Sequence, residues 1–383
     1  MTTFELILIG YGNVARRFES LLEEQREALA HDYGLHVRIV GIATRTHGQR
    51  YDAAGLRRYV GSGFSRTANP EAAASGPAKA GPHVPIGPHV RGATLTFLRD
   101  ALQRSAAAAR RRRLVVVETT TLDIERGEPA IAHVRAALAG GAHVVTANKG
   151  PVAFAYRALA RAAARADRRF LFEGAVMDGV PIFNLVRETL PAVRVLGFRG
   201  IVNSTTNFIL TAMEQGQRFE NALSEMQARG IAEADASLDI DGWDAAAKTA
   251  ALANVLLDAN ITPRDVDRQG IGRDTGLAAR KARAAGRRLK LVARADRDGR
   301  RVTARVAAED LEGDDLLAGV EGQQNALILR TDLLDEIAIV QRGGGLTQTA
   351  YALLSDLVAI ARDVTGGSAT RRSPSRARRR RTP

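Results

Sequence analysis

The sequence predicts an α/β fold: a doubly wound, mostly parallel sheet, followed by a central α+β unit. Three observations predict it. Apolar strand-like runs alternate with helical periodicity over the first 173 residues, the pattern of parallel strands joined by crossover helices. A glycine-rich turn joins the first of these strands to the first helix. Beyond Glu173 the alternation gives way to grouped helices and then to short apolar runs separated by turns.

In order, Phe4 to Ile9 reads as a buried strand and Gly10 to Ala15 as the turn. Asn13 to Leu29 has helical spacing, with Val14, Phe18, Leu21 and Leu22 on one face. Val37 to Ala43 is the second strand. Residues 61–92 hold six glycines and five prolines, with Gly-Pro-His-Val at 81–84 and again at 87–90. Such composition builds no core and reads as an insertion. Order is expected to resume with the strand Leu114 to Glu118, a helix over Pro129 to Ala139, the strand His143 to Thr146 and a helix from Ala153 to Ala166. Residues 181–190 look helical, Val195 to Asn203 looks extended, and two helices with an acidic loop fill 205–243. A helix follows from Asp244 to about Asp258, strands over 288–342, and a last helix from Leu346 to Asp363. Beyond Gly366 the chain is rich in Ser, Arg and Pro and is expected to be disordered.

With 383 residues and 45% hydrophobic content, the chain can bury a sizeable core. It has no cysteine, which excludes disulfides, thiolate catalysis and cysteine-bound metals, and a reducing cytoplasm is the expected compartment. No apolar run approaches the roughly 18 residues needed to span a membrane. The N-terminus has no secretory pattern. The net charge of +13 suggests nucleic acid, but its distribution argues against that. Seven of the charges are arginines in the last 13 residues (Arg371, Arg372, Arg376 and Arg378 to Arg381), and Arg110 to Arg113 form a second run. Neither has the interleaved aromatics on which bases stack, so no specific nucleic-acid partner is expected.

Gly10-Tyr11-Gly12-Asn13-Val14-Ala15 fits the dinucleotide fingerprint of a Rossmann-type domain. Gly10 permits the turn, Gly12 lets a pyrophosphate approach the backbone, and Asn13 and Val14 open a helix whose free N–H groups face the phosphates. A glycine turn without a ligand is the bland alternative. The second strand ends in Thr44-Arg45, with no Asp or Glu for a ribose hydroxyl. Arg45 favours the 2′-phosphate of NADP, with NAD the alternative; it can also be read as one more surface arginine. Thr119 and Thr120 end the third parallel strand, where they would line the cofactor groove or merely cap the strand. Asp244 and Lys248 lie four apart on a helix and share a face. Spacing alone favours an ordinary surface ion pair.

Four further segments, in order, resemble homoserine dehydrogenases. They are Thr146-Ala147-Asn148-Lys149-Gly150-Pro151, then Glu173 through Asp178 to Ile182, then Gly200 through Asn203 to Leu210, and Gly230 through Glu233, Asp239 and Asp244 to Lys248. With the glycine turn they span most of residues 1–365. The resemblance implies NAD(P)-dependent interconversion of L-homoserine and L-aspartate 4-semialdehyde, in threonine, methionine and isoleucine biosynthesis. It makes Lys248 the proton donor and acceptor, Asp244 its partner, and Lys149 a contact to both nicotinamide and substrate. Glu233 and Asp239 would hold the substrate amino group. Glu173, with the main-chain carbonyls of Val176, Asp178 and Val180, would ligate a monovalent cation such as sodium. Gly343 to Gly345 would return the chain to the nicotinamide side, with Gly345 at the cofactor, although Arg342 departs from the family pattern.

The chemistry agrees. Oxidising a primary alcohol leaves a hydroxyl proton to be taken, and a lysine whose pKa is lowered by burial can take it, whereas arginine cannot. The expected organisation is a dinucleotide-binding domain over 1–157, a substrate-binding and dimerisation domain over 158–342, a returning helix over 343–365 and a tail over 366–383. No fused kinase and no regulatory domain are expected, and a homodimer is. Rival readings are a related amino-acid or aldehyde dehydrogenase and a non-catalytic cofactor-binding regulator.

Overall fold

The computed structural model describes residues 2–44, 48–56, 92–105, 112–228 and 235–366. The expected insertion (all but Gly92), the arginine-rich tail, Arg45 and Glu233 lie outside these residues.

The first sheet is built from β1 (Thr2–Ile9), β2 (Leu35–Ala43), β3 (Gln49–Tyr51), β4 (Leu114–Glu118), β5 (His143–Thr146) and β6 (Phe170–Leu171). Its order is β3-β2-β1-β4-β5-β6, parallel throughout except for the antiparallel edge β3. The chain runs outward from β1 in one direction and resumes at β4 in the other. The crevice at the strand ends between β1 and β4 is therefore the place where such sheets bind ligands. Phe4, Leu6 and Leu8 face one side of β1 and Ile7 and Ile9 the other, and all are fully buried. A strand buried on both faces reads as a continuous apolar run, which is why β1, β4 and β5 stand out in the sequence.

Helices cover both faces: α1 (Asn13–Glu24), α2 (Arg26–Tyr33), α3 (Ala93–Arg104), α4 (Ala130–Ala139) and α5 (Lys149–Ala166). The single helix expected over Asn13 to Leu29 is broken at Gln25, and Val14 is only half-buried while Ala15, Phe18, Leu21 and Leu22 are buried. Order resumes earlier than expected, at α3, whose Leu98, Ala101 and Leu102 pack inward. Helix α5 starts four residues before the expected Ala153, because Pro151 sits in its first turn, where a missing N–H costs nothing.

The second sheet has β7 (Val195–Ile201), β8 (Asp267–Arg268), β9 (Arg288–Asp298), β10 (Arg301–Leu311), β11 (Asn325–Thr331) and β12 (Glu336–Gln341), in the order β12-β11-β7-β9-β10-β8. Its pairings are antiparallel except β10 with β8. Beside it lie α6 (Ser204–Glu214), α7 (Phe219–Ala228), α8 (Ser237–Ile240), α9 (Trp243–Leu256) and α10 (Thr275–Ala284). The last helix, α11 (Leu346–Val364), leaves this sheet and packs on α1. Its Leu353, Leu357 and Ile360 join Phe4, Phe18 and Leu22 in one buried cluster.

Candidate active site

The glycine turn meets the demands of a dinucleotide. Gly10 has φ +86°, and a Cβ there would lie 2.7 Å from the Thr119 carbonyl carbon, so only glycine lets β1 pass this close to the end of β4. At Gly12 a Cβ would meet nothing within 4 Å: the turn faces open space. Helix α1 starts here with no side-chain cap and no acidic residue in its first turn. Its leading N–H groups and the positive end of its dipole are left for an anion. Asn13 is exposed and Val14 half-buried at this edge. Thr119 and Thr120 sit opposite, at the end of β4. The Thr119 hydroxyl donates to the Gly10 carbonyl at 3.1 Å. The residues present therefore fit a bound nicotinamide dinucleotide.

Beneath the crevice, side chains that the sequence reading left without a role tie the strand ends together. Glu118, fully buried, accepts from the hydroxyl of Thr146 at 3.1 Å and from that of Thr120. Asn148 caps α5, its Oδ1 accepting from the Gly150 amide at 2.8 Å, and its Nδ2 donates to the Thr120 carbonyl at 2.9 Å. Strand β4 and the start of α5 are thereby held in register, and Lys149 leaves the cap at a set angle.

Lys149 points at α9. That helix is alanine-rich, with Ala245 to Ala247 and Ala250 to Ala253 buried, so it packs closely against α5. Asn254 locks the pair, donating to the carbonyls of Val152 at 3.1 Å and Ala153 at 3.2 Å. Asp244 stands in the first turn of α9, where the dipole favours a carboxylate. Lys149 Nζ reaches its Oδ1 at 3.0 Å, and Lys248 Nζ reaches its Oδ2 at 2.8 Å. Lys248 also donates to the Val202 carbonyl at 2.7 Å. The expected i,i+4 pair is present, and it is no surface pair: the Lys248 and Asp244 side chains are only 15% and 17% exposed. Asn203, at the end of β7, donates to Asp239 at 2.7 Å and to Asp244 at 2.9 Å. Asp239, Asp244, Lys149 and Lys248 thus come together from α8, α9 and α5.

The electrostatics correct one expectation. Burial does pull the Lys248 pKa down, but the Asp244 carboxylate against it, with Asp178 and Asp239 beyond, outweighs burial, and the ammonium is held above its ordinary value. Burial likewise penalises the Asp244 charge, yet Lys149 and Lys248 hold that carboxyl far below the usual range. Asp239 is displaced the other way, upward, by burial and by the Asp244 charge.

Glu173 is buried at the start of the segment that follows β6, where three backbone amides bind it. Its Oε1 accepts from the amides of Ile182 at 2.6 Å and Phe183 at 2.9 Å, and its Oε2 from that of Asn184 at 2.6 Å. Burial pushes its pKa up, against these three bonds. Val176 is buried and Val180 half-buried, and the Val180 carbonyl accepts from the Ile182 amide at 2.9 Å. Asp178 ties this segment to the glycine turn before α11, its Oδ2 accepting from Gln341 at 3.2 Å and its Oδ1 from Thr349 at 3.0 Å. Gly345, exposed, is the residue from which α11 starts. Among the described residues no group of three or more His, Asp or Glu side chains is arranged to hold a metal.

Comparison with known proteins agrees with this geometry. The family model described as "Homoserine dehydrogenase, NAD binding domain" matches residues 10–173, and the one described as "Homoserine dehydrogenase" matches residues 181–358. An NAD(+)-dependent homoserine dehydrogenase of Pseudomonas canavaninivorans is 35% identical over 95% of this chain and 98% of its own length. A homoserine dehydrogenase of Sulfurisphaera tokodaii is 34% identical over 94% and 99%. The solved homoserine dehydrogenase of Thiobacillus denitrificans superposes with a TM-score of 0.74 at 28% identity, covering 98% of this chain and 76% of that one. A glycine turn at a sheet's switch point, two lysines on one carboxylate, and full-length similarity to these relatives have one common account: the chain belongs to the homoserine dehydrogenase family.

Proposed function

We propose that the protein interconverts L-homoserine and L-aspartate 4-semialdehyde in the cytoplasm, with NADP as the preferred cofactor. The observation that carries this reading is the pairing of Lys149 and Lys248 on opposite oxygens of Asp244, beside Asp239 and across from the dinucleotide turn. The bound nicotinamide would supply the hydride acceptor. Gly10, Gly12, Asn13 and Val14 would hold its pyrophosphate, Thr119 and Thr120 would line its groove, and Gly345 would close the nicotinamide side. Lys248 takes the hydroxyl proton of homoserine at Nζ and returns it to the aldehyde oxygen in reverse. Asp244 keeps both lysines in place, and Lys149 touches substrate and nicotinamide. Asp239, with Glu233, binds the substrate amino group.

The same reading assigns residues 1–157 with 343–365 to cofactor binding and 158–342 to substrate binding and dimerisation. A homodimer through β12, which pairs only with β11 among the described residues, is supported by the exposed Leu333, Leu334 and Val340 around that strand. A sodium-class cation at the carbonyls of Val176, Asp178 and Val180 has room on Glu173 for one further bond, since a carboxylate offers about four acceptor positions and three are filled.

Purified protein assayed with L-homoserine and each nicotinamide cofactor tests the proposal, and absence of turnover with either ends it. Cofactor preference rests on Arg45, and sets this chain against its NAD(+)-dependent Pseudomonas relative. Arg45→Asp is expected to turn an NADP preference into one for NAD. Equal use of both cofactors before and after the change would refute the assignment.

A further inference from the structure

Asp239 and Asp244 converge at the start of α9, and the side chain between them is Asn203. Its orientation is not free. As the cap of α6 it accepts at Oδ1 from the Thr206 amide at 2.8 Å and from the Thr206 hydroxyl at 3.0 Å. The NH2 must therefore face the other way. There one N–H goes to Asp239 Oδ1 at 2.7 Å and the other to Asp244 Oδ2 at 2.9 Å. Asn203 is 5% exposed, so water cannot readily replace either bond. A neutral donor anchored on a helix N-terminus thus holds two like charges apart and in place.

We infer that Asn203 is a positioning residue that keeps Asp239 available as an anion, aimed to receive the substrate amino group. The inference rests on the homoserine chemistry proposed above. The two carboxylates differ in how much they depend on Asn203. Asp244 has two lysines. Asp239 is faced by Asp244 and Lys248 of α9, by Asn203 at the cap between β7 and α6, and by Thr205 of α6. Lys149 of α5 is paired with the neighbouring Asp244, and Asp178 acts on the neighbouring Lys248. Burial and Asp244 push Asp239 toward the neutral acid. The bond from Asn203 is the largest pull in the other direction, ahead of Lys248 and Thr205. Without that bond, Asp239 takes up a proton at higher pH, and a neutral acid cannot pair with an ammonium group.

Asn203→Ser keeps an oxygen that caps α6 but loses the NH2. Asn203→Asp keeps the cap and sets a third carboxylate where the donor was. Two readouts on the full chain test the inference. In the first, carboxyl-carbon NMR without substrate is expected to show the Asp239 midpoint raised by about one unit or more in Asn203→Ser, and further in Asn203→Asp. In the second, KM for homoserine is expected to rise as pH falls through the displaced midpoint, by up to about tenfold per unit of midpoint shift. It should recover toward the wild-type value as pH rises, with cofactor affinity unchanged. An unmoved Asp239 midpoint overturns the inference, and so does a KM increase of equal size at every pH. If the wild-type protein does not oxidise homoserine, the proposed function fails on its own, and the NMR midpoint still decides the part played by Asn203. If Asn203→Ser does not fold, Asn203→Asp, whose carboxylate caps at least as well, gives the same readouts.

Discussion

Asp244 meets a lysine on each oxygen, and the two contacts are not equivalent. Lys149 arrives from the strand-end cap at Asn148, on the cofactor side, whereas Lys248 lies one turn along the same helix and is also bound to the Val202 carbonyl. Because Asp244 raises the Lys248 pKa, the resting side chain is the ammonium, ready to give a proton to an aldehyde oxygen. Accepting a proton from homoserine needs the neutral amine. Oxidation is therefore expected to gain about one log unit in kcat/KM per pH unit on the alkaline side, while aldehyde reduction declines over the same range. Lys248→Arg keeps the charge but cannot release the proton, and should lower turnover by about 10² to 10⁴ with cofactor binding retained. Near-normal turnover in Lys248→Arg, with loss in Lys149→Arg, would exchange the roles of the two lysines. Lys149, Asp239, Asp244 and Lys248 were legible in the sequence because charged residues stood at motif positions. Glu118, Asn148 and Asn203 received no role, because an amide or a buried acid acquires one only from the strand ends and helix caps that tertiary structure brings to it.

Among the elements, β4, β5 and α11 were legible nearly to the residue, since each is an unbroken apolar run or a clear helical stripe. Helix α10 was not, because its buried face is Gly276, Ala279 and Ala282, too small to mark a hydrophobic period. The start of β5 carries another feature that no pattern discloses. His143 accepts at Nδ1 from the Arg169 amide at 3.0 Å, which leaves Nε2 to donate to the Arg112 carbonyl at 3.2 Å. One neutral imidazole thus clamps the residues preceding β6 and β4. Burial, helped by Arg168, lowers its pKa to about 4. A histidine depressed in the folded state binds its proton more readily when unfolded. Its contribution is therefore intact above about pH 6.5 and lost as pH falls toward the folded value. Stability is expected to drop by up to about 3 kcal/mol across that window. His143→Gln should flatten this slope in urea melts at graded pH, and an unchanged slope would show that other groups govern acid unfolding.

At the scale of the molecule, the second sheet ends at β12, which pairs only with β11 among the described residues. An unpaired edge beside exposed Leu333, Leu334 and Val340 is a surface that a soluble protein ordinarily covers. Light scattering is expected to give the mass of two chains. Leu334→Lys with Val340→Lys should halve it while leaving the fold intact by circular dichroism. A monomeric wild type would refute the dimer.

The return of α11 to α1 also determines when the first half of the protein can finish folding. During synthesis, β1 and α1 emerge first, yet the cluster that holds Phe4, Phe18 and Leu22 is completed only when Leu353, Leu357 and Ile360 arrive, after the whole second sheet has been made. Until then an apolar face worth several kcal/mol of burial lies open to the ribosome's surroundings. The cofactor half therefore cannot be completed on the order of its own translation, and nascent chains should depend on a holding chaperone until residue 364 is free. Chains ended after Gly345 are expected to aggregate or to remain chaperone-bound, and adding a peptide of residues 346–364 in trans should recover soluble material. Soluble, cooperatively melting protein from the truncated chain alone would show that this half closes without its last helix.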